Sequence, residues 1–315
     1  MEQPQTEVQQ HPVTTSPVPD VPPAGSVPSV KPATQSIAPQ ACSTCGTALA
    51  ANGNGAGSSA LDYIYAIGHI EARYPRSSVE KELAQAIGRS ETAGLTNRQT
   101  LHKVLSQRQN RYLARQMCWV MTIEGLETYI LVPRDPADLD LLVEALRPAP
   151  SPMDLDCVIG VQGPVAPPEM CNGLMVPIVA FDQIYSFDRD TLIKAIPKPE
   201  KISAKEFGPA AEELFDRIMQ MADNAGATDE DRALNYLAMR YQAIYVGAAD
   251  AFARNASLTG VGVQPSALSA TRNVVDVIFT YTNRTTGVDE KFFVRVDVTD
   301  EFPFLVTKLS PYYAR

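Results

Sequence analysis

Residues 117–132, Met117-Cys118-Trp119-Val120-Met121-Thr122-Ile123-Glu124-Gly125-Leu126-Glu127-Thr128-Tyr129-Ile130-Leu131-Val132, decide the fold class. Two runs rich in β-branched and aromatic residues, Met117 to Ile123 and Thr128 to Val132, flank Glu124-Gly125, and a β-hairpin is the expected result. On the C-terminal side, Asp135-Pro136 supplies an N-cap and a first-turn proline. Leu139, Leu142, Val143 and Leu146 then mark one face of a helix. On the N-terminal side, Asp62 to Arg73 alternates as a strand with Tyr63, Tyr65, Ile67 and His69 on one face, and Pro75 ends it. Ser77 and Glu80 have the spacing of a capping box. Val79, Leu83 and Ile87 form the stripe of the helix that follows, which stops at Gly88, and a second helix is expected from Thr96 to Gln107.

Further along, strands are expected at Asp156–Val161 and Leu174–Phe181, with a helix from Asp188 to Ile196. Pro197-Lys198-Pro199-Glu200-Lys201 reads as a linker. Beyond it come helices at Pro209–Asp223 and Thr228–Arg254, then a hairpin of Val274–Tyr281 with Lys291–Val298. The order of elements is mixed rather than regularly βαβ, so the expected class is α+β. A mixed or antiparallel sheet with helices occupies residues 61–197, and a smaller helical-plus-hairpin unit occupies 205–315. Residues 1–40 are rich in proline and lack aromatic residues, the composition of a disordered tail, and 41–60 hold a cysteine pair and a glycine-rich connector.

A formal charge of −9 argues against a non-specific nucleic-acid surface or an anionic-membrane surface, since either needs a basic face. No segment is apolar enough for a membrane span, and the N-terminus lacks the charged and apolar regions of a signal peptide. A reducing cytoplasm is therefore the expected compartment, where five cysteines favour metal binding over disulfides. Cys42-x-x-Cys45 supplies one half of a zinc site, and the other half must come from Cys157, Cys171 or Cys118. The assignment is Zn2+ held structurally by Cys42, Cys45, Cys157 and Cys171, with Cys118 beside Trp119 in the core. Two alternatives stay open: Cys157 and Cys171 as ordinary buried thiols, and Cys118 in place of one of the ligands.

No protease triad, metalloprotease motif, phosphate loop or dinucleotide fingerprint occurs in the sequence, so no catalytic residue is assigned. His69, Glu71, Arg73 and Arg134, at or beside strands, are candidates for a peptide-binding face.

Tyr65-Ala66-Ile67-Gly68-His69-Ile70-Glu71-Ala72-Arg73-Tyr74-Pro75, Ser78-Val79-Glu80-Lys81-Glu82 and the block from Cys118 through Pro136 resemble the C-terminal domain of unknown function of PatG-type cyanobactin maturation proteins. That resemblance implies a role in making ribosomally synthesised peptides and a structural zinc. It does not carry the subtilisin-like protease chemistry, whose motifs this chain lacks. The expected function is a non-catalytic accessory protein that binds a precursor peptide or a partner subtilisin-like maturation protease. The rivals are an unrecognised enzyme acting on the same peptides through His69, Glu71 and Arg73, and a self-associating scaffold such as a homodimer.

Overall fold

Residues 62–198, 203–269 and 271–313 are described by the computed structural model. The expected tail and cysteine knuckle, including Cys42 and Cys45, lie outside them. Strand β1 (Tyr63–Arg73) forms as read from the sequence. Helix α1 (Ser77–Gly88) follows it, but Arg76 is its N-cap and no side chain caps it. Ser77 has already entered the helix, so the expected capping box with Glu80 does not form. A capping box forms instead at helix α2 (Asn97–Leu105), where Thr96 accepts from the Gln99 amide at 3.3 Å and Gln99 accepts in return at 3.0 Å.

A short helix not read from the sequence, α3 (Arg111–Gln116), leads into the hairpin of β2 (Cys118–Ile123) and β3 (Leu126–Pro133). Glu124 and Gly125 both take positive φ, 51° and 82°, the turn geometry that matches the twist of the flanking strands. Asp135 caps a short 3-10 turn before helix α4 (Leu139–Ala145), and the four expected apolar residues are all buried. Strands β4 (Asp154–Val165) and β5 (Pro177–Asp188) both run longer than expected, and Asp188 caps helix α5 (Arg189–Ala195). The five strands close into a barrel in the order β1-β2-β3-β5-β4, antiparallel throughout except for the parallel β3–β5 pair. Ile64, Ile70, Trp119, Met121, Val158 and Phe181 share one core with residues of α1 to α4.

The remaining residues make helix α6 (Ala204–Met221), α7 (Asp229–Arg240) and α8 (Ala243–Ala253). Strands β6 (Ala256–Pro265), β7 (Val274–Asn283), β8 (Asp289–Asp297) and β9 (Phe304–Pro311) follow. Pro209, expected at the start of α6, lies inside it. The single helix expected from Thr228 to Arg254 breaks at Tyr241 (φ −115°, ψ 86°), whose phenol accepts the Leu309 amide of β9 at 2.9 Å. The expected β7–β8 hairpin forms the middle of a four-stranded antiparallel sheet in chain order, with β6 and β9 added at its edges. One face of that sheet meets α6 and α8 through Val277, Phe279 and Val294 against Leu214, Ile218 and Ile244. The sheet class is therefore mixed in the barrel and antiparallel in the second sheet, an α+β protein. No helix among the described residues is long and apolar enough to cross a membrane.

The join between the two parts is made of backbone. β2 pairs with β1 from His69 to Arg73, which leaves the first half of that edge without a neighbouring strand. The α6–α7 loop fills the place. The Tyr65 and Ile67 amides donate to the Gly226 and Asn224 carbonyls at 3.0 and 2.8 Å, and Asn235 Nδ2 donates to the Tyr65 carbonyl at 2.8 Å. The Tyr129 phenol of β3 donates to the Ala225 carbonyl at 3.1 Å. At Gly226, with φ 60°, a Cβ would stand 2.0 Å from the Tyr65 carbonyl oxygen. Gly226→Ala is expected to cost about 3 kcal/mol, through both the left-handed backbone and the collision. Gly125→Ala, at similar φ but with open space around it, should cost about 1 kcal/mol. Urea unfolding of the two variants beside the wild type checks the ranking, and equal losses would contradict it.

Candidate functional site

The outer face of β1 carries His69, Glu71 and Arg73 in sequence, spaced roughly 6.6 Å apart as alternate residues of a strand. Toward its start this face is covered: Tyr65 packs edge-on against Tyr236 of α7, with ring centroids 6.3 Å apart. At His69 the cover ends. A cavity of about 360 Å³ opens there between β1, the β2–β3 turn and α6. Ile67, Leu155, Phe215 and Met219 line its apolar part, and His69, Glu124, Asp216 and Asn224 stand among its polar residues. Glu71 is exposed on the strand beyond it. Arg73 belongs to a second concavity of about 770 Å³, shared with Tyr74, Arg76, Glu80 and the turn at Cys171–Leu174, and it is ion-paired with Glu127. The three expected binding residues therefore occupy one face but do not converge on one cavity. Glu124, Asp216 and Asn224 were not read as site residues. Glu124 carries the signal of a turn and Asn224 that of a helix end, and their meeting depends on a contact spanning 100 residues.

Arg134, the fourth candidate, is separate from this face. Its side chain reaches Asp182 of β5 at 2.5 Å and Glu301 of the β8–β9 connection at 3.3 Å, while its amide donates to the Phe181 carbonyl at 3.0 Å. It ties the barrel to the second sheet. Burial pushes the Glu301 carboxyl up to about 7, Asp182 adds to the rise through a hydrogen bond and its charge, and Arg134 opposes it. A carboxyl raised above its unfolded value of 4.5 contributes stability fully below that pH and loses it as pH rises through 7. Glu301→Gln should consequently gain on the wild type in melting temperature between pH 4.5 and 7. A difference between the two proteins that stays constant over this range would refute the assignment.

The cysteines depart from the expected pairing. Cys171 forms a disulfide with Cys118, with Cα atoms 5.6 Å apart, while Cys157 is a free thiol buried beside Tyr65. The reason is strand length. β4 continues to Val165 and pairs with β5 down to Asp188, so Cys157 lies opposite Tyr185. The eight residues from Cys157 to Val165 put it roughly 26 Å from the hairpin's end, at the rise of an extended strand. The loop carrying Cys171 folds onto β2 and β3 instead, beside Val120 and Ile130. Burial raises the Cys157 thiol to about 12, so it stays protonated. Among the described residues no three His, Cys, Asp or Glu side chains gather as a metal site.

Residues 201–312 match the family model described as PatG C-terminal. Among solved structures, the chain is similar to the "PatG Domain of Unknown Function", with a TM-score of 0.64 and 19% identity over 79% of this chain and 98% of that one. No curated protein matches the sequence. The identity is low enough that the structural likeness speaks for the fold alone, while the family model speaks for the last third of the chain. Residues 201–312 are thus similar to the PatG C-terminal family, and the chain has the fold of the PatG domain of unknown function.

Proposed function

We propose that this protein is a recognition partner in PatG-type maturation of ribosomally made peptides, and that it binds an extended precursor peptide along the outer face of β1. The family match supports the pathway, and the observation that carries the site is the pair of concavities at His69 and Arg73. They are four strand steps apart, roughly 13 Å, which is the span from the first to the fifth residue of an extended peptide. Side chains alternate in such a peptide, so two of them can enter the concavities while the backbone passes Glu71. The face offers apolar surface with both charge signs at its margins, which suits reading a peptide.

Zinc belongs to this proposal in an altered form. Cys42-x-x-Cys45 keeps the spacing of a metal knuckle. Cys157 leaves the ligand set, because it is buried beside Tyr65 on β4, roughly 26 Å of strand from the hairpin's end. Once reduced, Cys118 and Cys171 are the two adjacent thiols among the described residues, and their 5.6 Å Cα separation also suits two ligands of one tetrahedral ion. A metal so held closes on four sulfurs and has a structural role.

Two measurements test these readings. Fluorescence anisotropy of a labelled precursor peptide should show binding to the full chain, weakened at least about tenfold by His69→Ala with Arg73→Ala. Absence of binding, or binding indifferent to both changes, would remove the site. Metal analysis of protein purified under reducing conditions should find one zinc per chain, lost in Cys42→Ser and Cys118→Ser and kept in Cys157→Ser. Zinc lost with Cys157 would restore the ligand set expected from the sequence.

A further inference from the structure

The cavity at His69 contains a hydrogen-bonding imbalance. Asn224 is 4% exposed and lines this cavity. Its Nδ2 donates to the Met219 carbonyl at 2.9 Å and to Glu124 Oε1 at 3.2 Å. Both partners are acceptors, so the amide can face them in one orientation, nitrogen toward them. Its Oδ1 is thereby left buried with no donor among the described residues. A buried acceptor without a donor forfeits its full hydration, and a donor arriving from a ligand would recover it.

The charged groups Arg189 and Glu124 lean the same way. Arg189, the cavity's guanidinium, is engaged with Asp190 and Asp216 at 3.3 and 3.2 Å. Glu124 is exposed and, among the described residues, takes one side-chain hydrogen bond, from Asn224, leaving acceptor capacity on its carboxylate. Below these groups lie Ile67, Leu155, Phe215 and Met219, which offer no hydrogen bond from their side chains. The cavity thus presents an apolar floor beneath a rim whose spare charged capacity is accepting, at Glu124 beside the Asn224 Oδ1, with His69 and Gln220 also on the rim.

We infer that this cavity binds an apolar side chain together with an adjacent N–H donor: the amino side of an aliphatic peptide residue, as α-ammonium or amide, with the donor meeting Asn224 Oδ1 and Glu124. The inference rests on the peptide-recognition reading for its biological ligand and on the cavity's chemistry for everything else. A carboxylate of the same apolar shape is disfavoured, since it brings a second anion and no donor.

The experiment titrates the full chain with L-leucinamide and with isocaproate, which share an isobutyl group, following chemical shifts of the Met219 and Ile67 methyl groups. Leucinamide should bind and isocaproate should not. Glu124→Gln, an exposed and nearly isosteric change, should weaken leucinamide roughly fivefold. Met219→Trp, which fills the apolar floor, should abolish binding while the melting temperature shows that both variants fold. Equal binding of the two probes, no binding of leucinamide, or binding indifferent to both variants overturns the inference. Precursor peptide that binds without competition from leucinamide also overturns it and leaves the recognition reading standing. Leucinamide binding with this pattern, in a chain that ignores the precursor, upholds the cavity's chemistry and rejects the recognition reading.

Discussion

The architecture depends on how β1 satisfies the edge that β2 leaves bare. Buried amides and carbonyls must find partners, and a strand whose neighbour stops halfway has lost part of its ladder. Here the α6–α7 loop supplies that ladder with the carbonyls of Asn224 and Gly226, and Asn235 completes it at Tyr65. The contact bridges some of the widest sequence separations in the molecule, 170 residues between Asn235 and Tyr65. Because the loop lies beside β1 in this way, α6 is held against the barrel, and the cavity at His69 exists because that approach is close without being complete.

Ionic groups reinforce the same seam. Arg232 of α7 is buried to 3% exposure, donates to the Val298 carbonyl at 2.7 Å and lies over the Tyr63 ring at 5.4 Å. Arg134 joins Asp182 to Glu301 across the neighbouring stretch. Each guanidinium serves several acceptors at once, which is how a planar five-donor group holds separate backbone segments in register. Such groups are positioning elements of the fold. That is why Arg134, although it stands at a strand end as a ligand-binding arginine would, is occupied by the protein itself.

The sequence made the hairpin about Glu124-Gly125, the stripe of α4 and the alternation of β1 legible, because each is a local pattern whose period or turn residue has a direct backbone consequence. The features that were missed are set elsewhere in the chain. Gly160 and the Gly163-Pro164 pair look like the end of a strand, yet β4 passes through them with register shifts next to Gly160 and between Gln162 and Val165. That extra length carried Cys157 away from Cys171. The break at Tyr241 has no glycine or proline to announce it, and its phenol is engaged by the distant Leu309 amide of β9. β6 is diluted by Gly260 and Gly262 and becomes a strand through pairing with β7. His69 was legible as a candidate and lines the cavity, whereas Glu124, Asp216 and Asn224 join its lining only when the turn, α6 and the loop are brought together.

The matched family segment begins at residue 201, between the barrel and the helices, and it invites treatment as a detachable module. The loop beside β1 argues otherwise. A chain cut at that point would keep all five barrel strands yet present the Tyr65 and Ile67 amides to solvent on a half-open edge, the kind of surface that recruits foreign strands and drives clumping. The stretch that similarity delimits and the stretch that backbone hydrogen bonds delimit therefore differ in this molecule, since the bonds of Tyr65 and Ile67 reach across to Asn224, Gly226 and Asn235.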